Sequence, residues 1–290
     1  MGRIGHFTTV EGRSRYFAAY EAAMRECPGV RAERDVPSRY GTVRVYRYGD
    51  SGRPPIVLLH GSHASSAMWA PNLPGLVAER TVYTVDTLGE PGASVQTVPM
   101  RDGADRARAL EDVFEELGLT GFHLAGLSAG GWQTLNQARH FPGRLASIAL
   151  FDPANTLGKL TRRFFAGALA AHLLPGDAAM KRFLSWTAGG GSWPEVPSTR
   201  VLLAGMTEFQ SGLPFLGYPG DDVLRAVEVP VLVLIGGRSV VHDPEAAAER
   251  ARTLFRDAEV ELWPEATHAL IGEQPERAVQ RLLEFAAKHD

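Results

Sequence analysis

The chain has 290 residues, 44% of them hydrophobic, with a net charge of −3 and a single cysteine. That length can bury a large core, either as one α/β domain or as a core carrying an inserted lid. The charge gives no reason to expect a nucleic-acid partner, because the early arginines stand singly among acids and apolar residues, and one cysteine excludes a disulfide framework.

The amino terminus, Met1 to His6, lacks a hydrophobic signal core, and no apolar run reaches the roughly 18 residues of a membrane span, so the expected location is the cytoplasm. Residues 9–25 form an amphipathic helix, with Tyr16, Phe17, Tyr20 and Met24 at helical spacing. Cys27, just before Pro28-Gly29, reads as a small hydrophobe rather than a reactive thiol. Two strands follow at 32–36 and 42–48, the second alternating Val43, Val45 and Tyr46 with arginines. The pattern then changes to short, mostly apolar strands at 56–59, 82–85, 122–125, 147–151, 231–235 and 260–263, as expected for a sheet covered on both faces. Helical segments at 71–79, 105–117, 131–140, 244–255 and 275–288 separate or follow them, which specifies an α/β fold with a doubly wound, mainly parallel sheet.

The alternation fails once, between 152 and 229. Helical patches at 160–174 and 178–186 and a Gly189-Gly190-Gly191 loop occur there without a convincing strand. This segment reads as a helical cap inserted after the sixth strand, over the strand ends where ligands bind in such sheets. The expected organisation is a helix and lead-in at 1–40, a core at 41–152 and 227–290, and the cap at 153–226.

The most informative stretch runs from Phe122 to Gly131, an apolar strand entering Gly126-Leu127-Ser128-Ala129-Gly130 and then a helix. A serine at so tight a strand-to-helix turn needs a strained backbone, and only residues without bulk at 126 and 130 let neighbouring segments pass. The helix points its amino end at the same spot and favours negative charge there. A serine hydroxyl is a weak nucleophile near neutral pH and needs a base. His268 fits that role, since it lies just past the last strand, at the sheet edge where Ser128 emerges. His123 lies inside a strand, His140 ends a helix, and His6, His172 and His289 lack sheet-edge placement. His60 and His63 border a loop facing the turn, where His60 is expected to shape the loop rather than move protons.

Together with Leu59-His60-Gly61-Ser62, the Asp86-Thr87-Leu88-Gly89-Glu90-Pro91-Gly92-Ala93-Ser94 loop and Ala266-Thr267-His268-Ala269, the serine turn makes the region 43–287 resemble the lid-bearing α/β-hydrolase fold enzymes. The resemblance implies an oxyanion hole built from the backbone N–H groups of Ser62 and Ala129. It also implies an acid that orients His268, and here the sequence departs from the common pattern. Gly236-Gly237-Arg238-Ser239 puts serine where many relatives carry aspartate. Asp152, ending the strand after the nucleophile's own, is the first candidate for the acid. Asp243 is the alternative, although Asp243-Pro244 also reads as a helix amino cap. A third possibility is that no carboxylate serves.

What the resemblance implies is a carboxylesterase-like serine hydrolase, acting through Ser128, His268 and Asp152 by an acyl-enzyme, with no metal or organic cofactor. The partner expected is a small-molecule substrate. The apolar residues Phe164, Phe165, Leu169, Leu173, Leu174, Met180, Phe183, Leu184, Trp186 and Trp193 suggest a medium-sized, fairly hydrophobic acyl compound, although half of them would simply pack the cap on the core. Met68, Trp69 and Phe209 are further pocket candidates, Trp69 equally a loop anchor. The alternatives are a cofactor-free lyase, cyclase or perhydrolase on the same residues, and a non-catalytic ligand receptor.

Overall fold

In the computed structural model, which describes residues 3–174, 177–190 and 195–290, the alternating strands and helices assemble one large sheet. In chain order the elements begin with β1 (His6–Phe7), α1 (Val10–Met24), β2 (Ala32–Ser38), β3 (Gly41–Tyr48), β4 (Ile56–Leu59) and α2 (Leu73–Val77). They continue with β5 (Val82–Val85), β6 (Val95–Gln96), α3 (Gly103–Glu116), β7 (Phe122–Leu127), α4 (Ala129–His140) and β8 (Leu145–Phe151). Next come α5 (Arg162–Leu173), α6 (Asp177–Thr187), α7 (Pro197–Glu208), β9 (Phe209–Gln210) and α8 (Asp221–Arg225). The chain closes with β10 (Val231–Gly236), α9 (Pro244–Leu254), β11 (Ala258–Trp263), α10 (Leu270–Glu273) and α11 (Pro275–Lys288).

The sheet runs β11-β10-β8-β7-β4-β5-β3-β2, with β6 paired to β3. Pairing is parallel from β11 through β5 and antiparallel where β3 joins β5 and β2 joins β3. The period of two along each strand divides the core. Val57 and Leu59 of β4 and Val231, Val233 and Ile235 of β10 face a cluster completed by Phe114 of α3, Leu135 of α4 and Ala251 of α9. Ile56, Leu58, Leu232 and Leu234 face the other side, with Tyr16 and Tyr20 of α1 and Leu282 and Phe285 of α11. Each such aliphatic or aromatic side chain contributes about 1.5–3 kcal/mol by leaving water.

The mainly parallel sheet and the covered strands follow the sequence expectation. Helix α2 is shorter than expected from 71–79, because Ser66–Trp69 forms a separate 3-10 turn and the helical run begins only after Asn72. The segment between β8 and β10 holds more order than the sequence suggested. A third helix, α7, opens with Pro197 at its first position, and the two-residue β9 pairs antiparallel with β1. That pairing joins His6 to Gln210, a separation at which no local pattern signals a strand. Helices α5, α6 and α7 share their own small core of Ala171, Met180, Phe183, Leu184 and Leu203. Phe165, Leu169, Leu173 and Leu174 lie exposed instead. Trp193 and Gly191 lie outside the described residues. Among those described, no helix is long and apolar enough to cross a membrane.

Candidate active site

Five neighbouring parallel strands, β4, β7, β8, β10 and β11, end at one edge of the sheet, and the segments leaving those ends carry Ser62, Ser128, Ala129, Asp152, Asp243 and His268. Ser128 follows β7 directly, with φ 56° and ψ −117°. A conformation so far from the favoured regions costs about 1–3 kcal/mol and persists only where its surroundings impose it. Here the backbone N–H of Ser128 donates to Phe151 O at 2.9 Å, and Ser128 O accepts from Trp132 N and Ala154 N, both at 3.1 Å. The two flanking glycines are sterically required. A Cβ on Gly126 would come 2.3 Å from the Gly130 carbonyl, and one on Gly130 would come 2.2 Å from Leu59 O.

Helix α4 opens at Ala129, so its first amides have no partner inside the helix and sit beside the serine. The loop after β4 passes on the other side, where a Cβ on Gly61 would meet Ser128 Cβ at 3.5 Å. His60 holds that loop. Its Nε2 accepts from the backbone N–H of Thr87 at 3.0 Å, which places the ring proton on Nδ1, donated to Gly61 O at 2.8 Å. Both nitrogens are thus committed to shaping the loop, as the sequence suggested. The Asp86–Ser94 stretch does the same work from beneath. Asp86, fully buried, accepts from Ser66 N and Ala93 N at 2.8 Å and from Tyr20 Oη at 2.7 Å. Glu90 accepts from His63 N at 2.9 Å. Trp69 is buried against Phe151, so it anchors the loop, and Phe209 packs edge-on against Phe7.

Asp152 follows β8, beside the serine, with φ 38° and no exposed surface. Its Oδ2 accepts from His268 Nδ1 at 2.5 Å and from Ser239 Oγ at 2.7 Å, while Oδ1 accepts from Gly236 N at 3.1 Å and lies 3.4 Å from His242 Nε2. Burial alone would raise this carboxyl. His242 and then His268 outweigh it and hold the group well below the usual carboxylate range. With Nδ1 bound to Asp152, His268 has Nε2 left, and no hydrogen bond among the described residues joins it to Ser128 Oγ. The His268 loop is fixed next door, where Thr267 donates through N at 2.8 Å and Oγ1 at 2.6 Å to Glu273.

Asp243, the other candidate acid, is exposed and accepts from Ala246 N at 3.1 Å, capping α9. Cys27 is half-buried, and burial pushes its thiol up to about 11, which leaves it unreactive near neutral pH. Sequence reasoning missed Ser239 and His242 as partners of Asp152. A signal existed, because Ser239 stands at the end of a strand adjacent to β8. A cleft of about 510 Å³ lined by Arg101, Trp132, Arg139, Phe215 and Tyr218 contains none of Ser128, Asp152 or His268, so chemistry rather than volume marks the site.

Known proteins resemble this chain over nearly its full length. Carboxylesterase YbfK of Bacillus subtilis is 30% identical over 96% of this chain and 96% of its own length. The crystal structure of carboxylesterase CesB (YbfK) from Bacillus subtilis superposes with a TM-score of 0.88 over 95% of this chain and 98% of that one, at 30% identity. Naproxen esterase (carboxylesterase NP) from the same organism reaches a TM-score of 0.88 over 96% and 99%, also at 30% identity. The Alpha/beta hydrolase family is matched over residues 56–281, and the chain belongs to that family.

Proposed function

We infer that this protein is a serine carboxylesterase acting on a medium-sized, fairly hydrophobic small-molecule ester through Ser128, His268 and Asp152. The observation that carries the reading is the buried Asp152 carboxylate bonded to His268 Nδ1 at 2.5 Å, at the same sheet edge as a serine forced into a strained turn. The relatives named as carboxylesterases support ester as the bond cleaved.

In this mechanism His268 Nε2 takes the Ser128 proton as Oγ attacks the acyl carbon, and catalytic hydrogen bonds of this kind commonly tighten only when substrate binds. The amides of Ser62 and Ala129 hold the oxyanion, aided by the amino end of α4. His268 then protonates the departing alcohol, and water, deprotonated by the same imidazole, releases the acid and restores the serine. Asp152 stays charged throughout and steadies the imidazolium. Segment 153–226 serves as the cap in this reading, with Met180, Phe183 and Leu184 packing it and its apolar character favouring a hydrophobic acyl group.

Labelling with a fluorophosphonate probe, followed by mass mapping, tests the reading. An adduct on the peptide containing Ser128, abolished in Ser128→Ala, is the expected result. Clean absence of labelling in the folded protein overturns it and favours a receptor.

A further inference from the structure

Of the nine histidines, two buried ones, His123 and His242, are used neither by the loop architecture nor by the proton transfers, and His123 is already bonded to Ser147 and Asp290. The His242 side chain has no exposed surface, and its Nε2 lies 3.4 Å from Asp152 Oδ1. Neither ring nitrogen forms an aligned hydrogen bond. A buried imidazole without a partner is disfavoured unless something else is gained. Among the described residues, the carboxylate that lies against it is Asp152 itself. A lone pair aimed at a carboxylate would be repelled, so the Nε2 facing Asp152 is the protonated nitrogen.

Its neighbours fix the ring in that place. A Cβ on Gly158 would come 2.8 Å from His242 Cβ, so the chain after β8 passes too closely for any larger residue. Ser239, three residues earlier in the same loop, donates to Oδ2 of the same carboxylate, and Gly236 N donates to Oδ1. The last residue of β10 and the loop after it therefore supply three groups to Asp152. Two of them stand at Oδ1 and one stands beside His268 at Oδ2. A carboxylate held at both oxygens cannot rotate, and its Oδ2 stays turned toward His268 Nδ1.

We propose that His242 is a positioning residue for the reaction at Ser128, a second imidazole against the triad acid that keeps Asp152 oriented so that His268 presents Nε2 to the serine. The proposal rests on the triad reading above. It assigns the loop after β10 a part in catalysis even though the acid itself has moved to the loop after β8.

The test uses the full chain and a short-chain p-nitrophenyl ester. His242→Leu is expected to lower kcat by about 10- to 100-fold, the loss typical when an outer partner that orients an active-site group is removed, with KM within about twofold of the parent. His242→Gln, whose amide N–H can still face Oδ1, is expected to recover most of that loss. Gly158→Ala, which displaces the ring without removing it, is expected to lower kcat in the same direction. Should His242→Leu fail to fold, the Gln and Gly158 variants carry the test. Unchanged kcat per folded molecule in the variants that fold overturns the proposal, as does a loss confined to KM. The triad reading fails differently: in that case Ser128→Ala and Asp152→Asn also keep their turnover, and fluorophosphonate does not label Ser128.

Discussion

The sheet edge and the α5–α7 segment are built on opposite terms. At the edge, backbone presses on backbone: Gly130 leaves no room for a methyl group against Leu59 O, and Asp152 has donors on both oxygens. In the segment, α5 buries only Ala171, while Phe165, Leu169 and Leu173 are 56%, 52% and 74% exposed. Interiors packed this tightly resist small changes, whereas surfaces of this kind absorb them. The edge can therefore hold one geometry, and the segment is free to vary.

The sharpest way to break that contrast is at Asp152. Asp152→Asn is expected to cut kcat/KM by about 10⁴-fold, the loss seen when a triad acid no longer orients its imidazole. Asp243→Asn, one loop away, leaves the rate unchanged. Equal, mild effects in ester kinetics would remove Asp152 from the acid role. The same carboxylate sets a pH dependence. Its folded value lies below the ordinary 3.8, so the stability it adds is fully present above 3.8 and is lost as pH falls through the lower folded value. Urea titrations between pH 5 and 2 are expected to show a shallower loss of stability in Asp152→Asn than in the parent chain.

Next in size is the elbow. Gly130→Ala forces a methyl group against two carbonyls, Leu59 O and His60 O, neither of which can move without dragging β4. A loss of about 1–3 kcal/mol or more is expected in denaturant unfolding. Gly143→Ala, where nothing lies within 4 Å of the added Cβ, serves as its control and is expected to be near neutral. Equal effects would mean that the turn relaxes and that the edge is less rigid than the geometry implies.

These contrasts also explain what could be read from the sequence. Residues whose roles are set by their immediate neighbours were legible. The glycines bracketing Ser128 announce a tight turn, Asp243 before Pro244 announces a helix cap, and His60-Gly61 announces a loop. The mainly parallel sheet was legible too, because fully buried strands are written as unbroken apolar runs. What was missed depends on contacts between distant segments. Ser239 and Asp152 are 87 residues apart, and β1 meets β9 where α1 packs against α7. Helix α7 was hidden because Pro197, Ser198 and Thr199 suggest a loop until the residues after them are seen to pack.

A smaller effect is expected where Asp243 caps α9 through Ala246 N at 3.1 Å. Asp243→Ala removes the acceptor from that amide and is expected to cost about 1 kcal/mol in thermal or denaturant unfolding, with ester turnover per folded molecule unchanged. A large loss of turnover there would return Asp243 to the list of acids.

The smallest effect is expected on α5, and it tests the comparison from the other side. Leu169 and Leu173 stand one helical turn apart, both more than half exposed, so replacing each with serine removes little apolar surface from any core. Helix propensity changes slightly, since serine holds a helix less well than leucine. The double variant Leu169→Ser, Leu173→Ser is therefore expected to unfold within about 0.5 kcal/mol of the parent. Its kcat toward a short ester should be unchanged, because none of the hydrogen bonds described at Asp152 or Ser128 involves α5. A drop of several kcal/mol would instead mean that these leucines are covered in solution, by another copy of the chain or by a rearranged segment. The difference between a fixed edge and a permissive segment would then have to be redrawn with α5 on the rigid side.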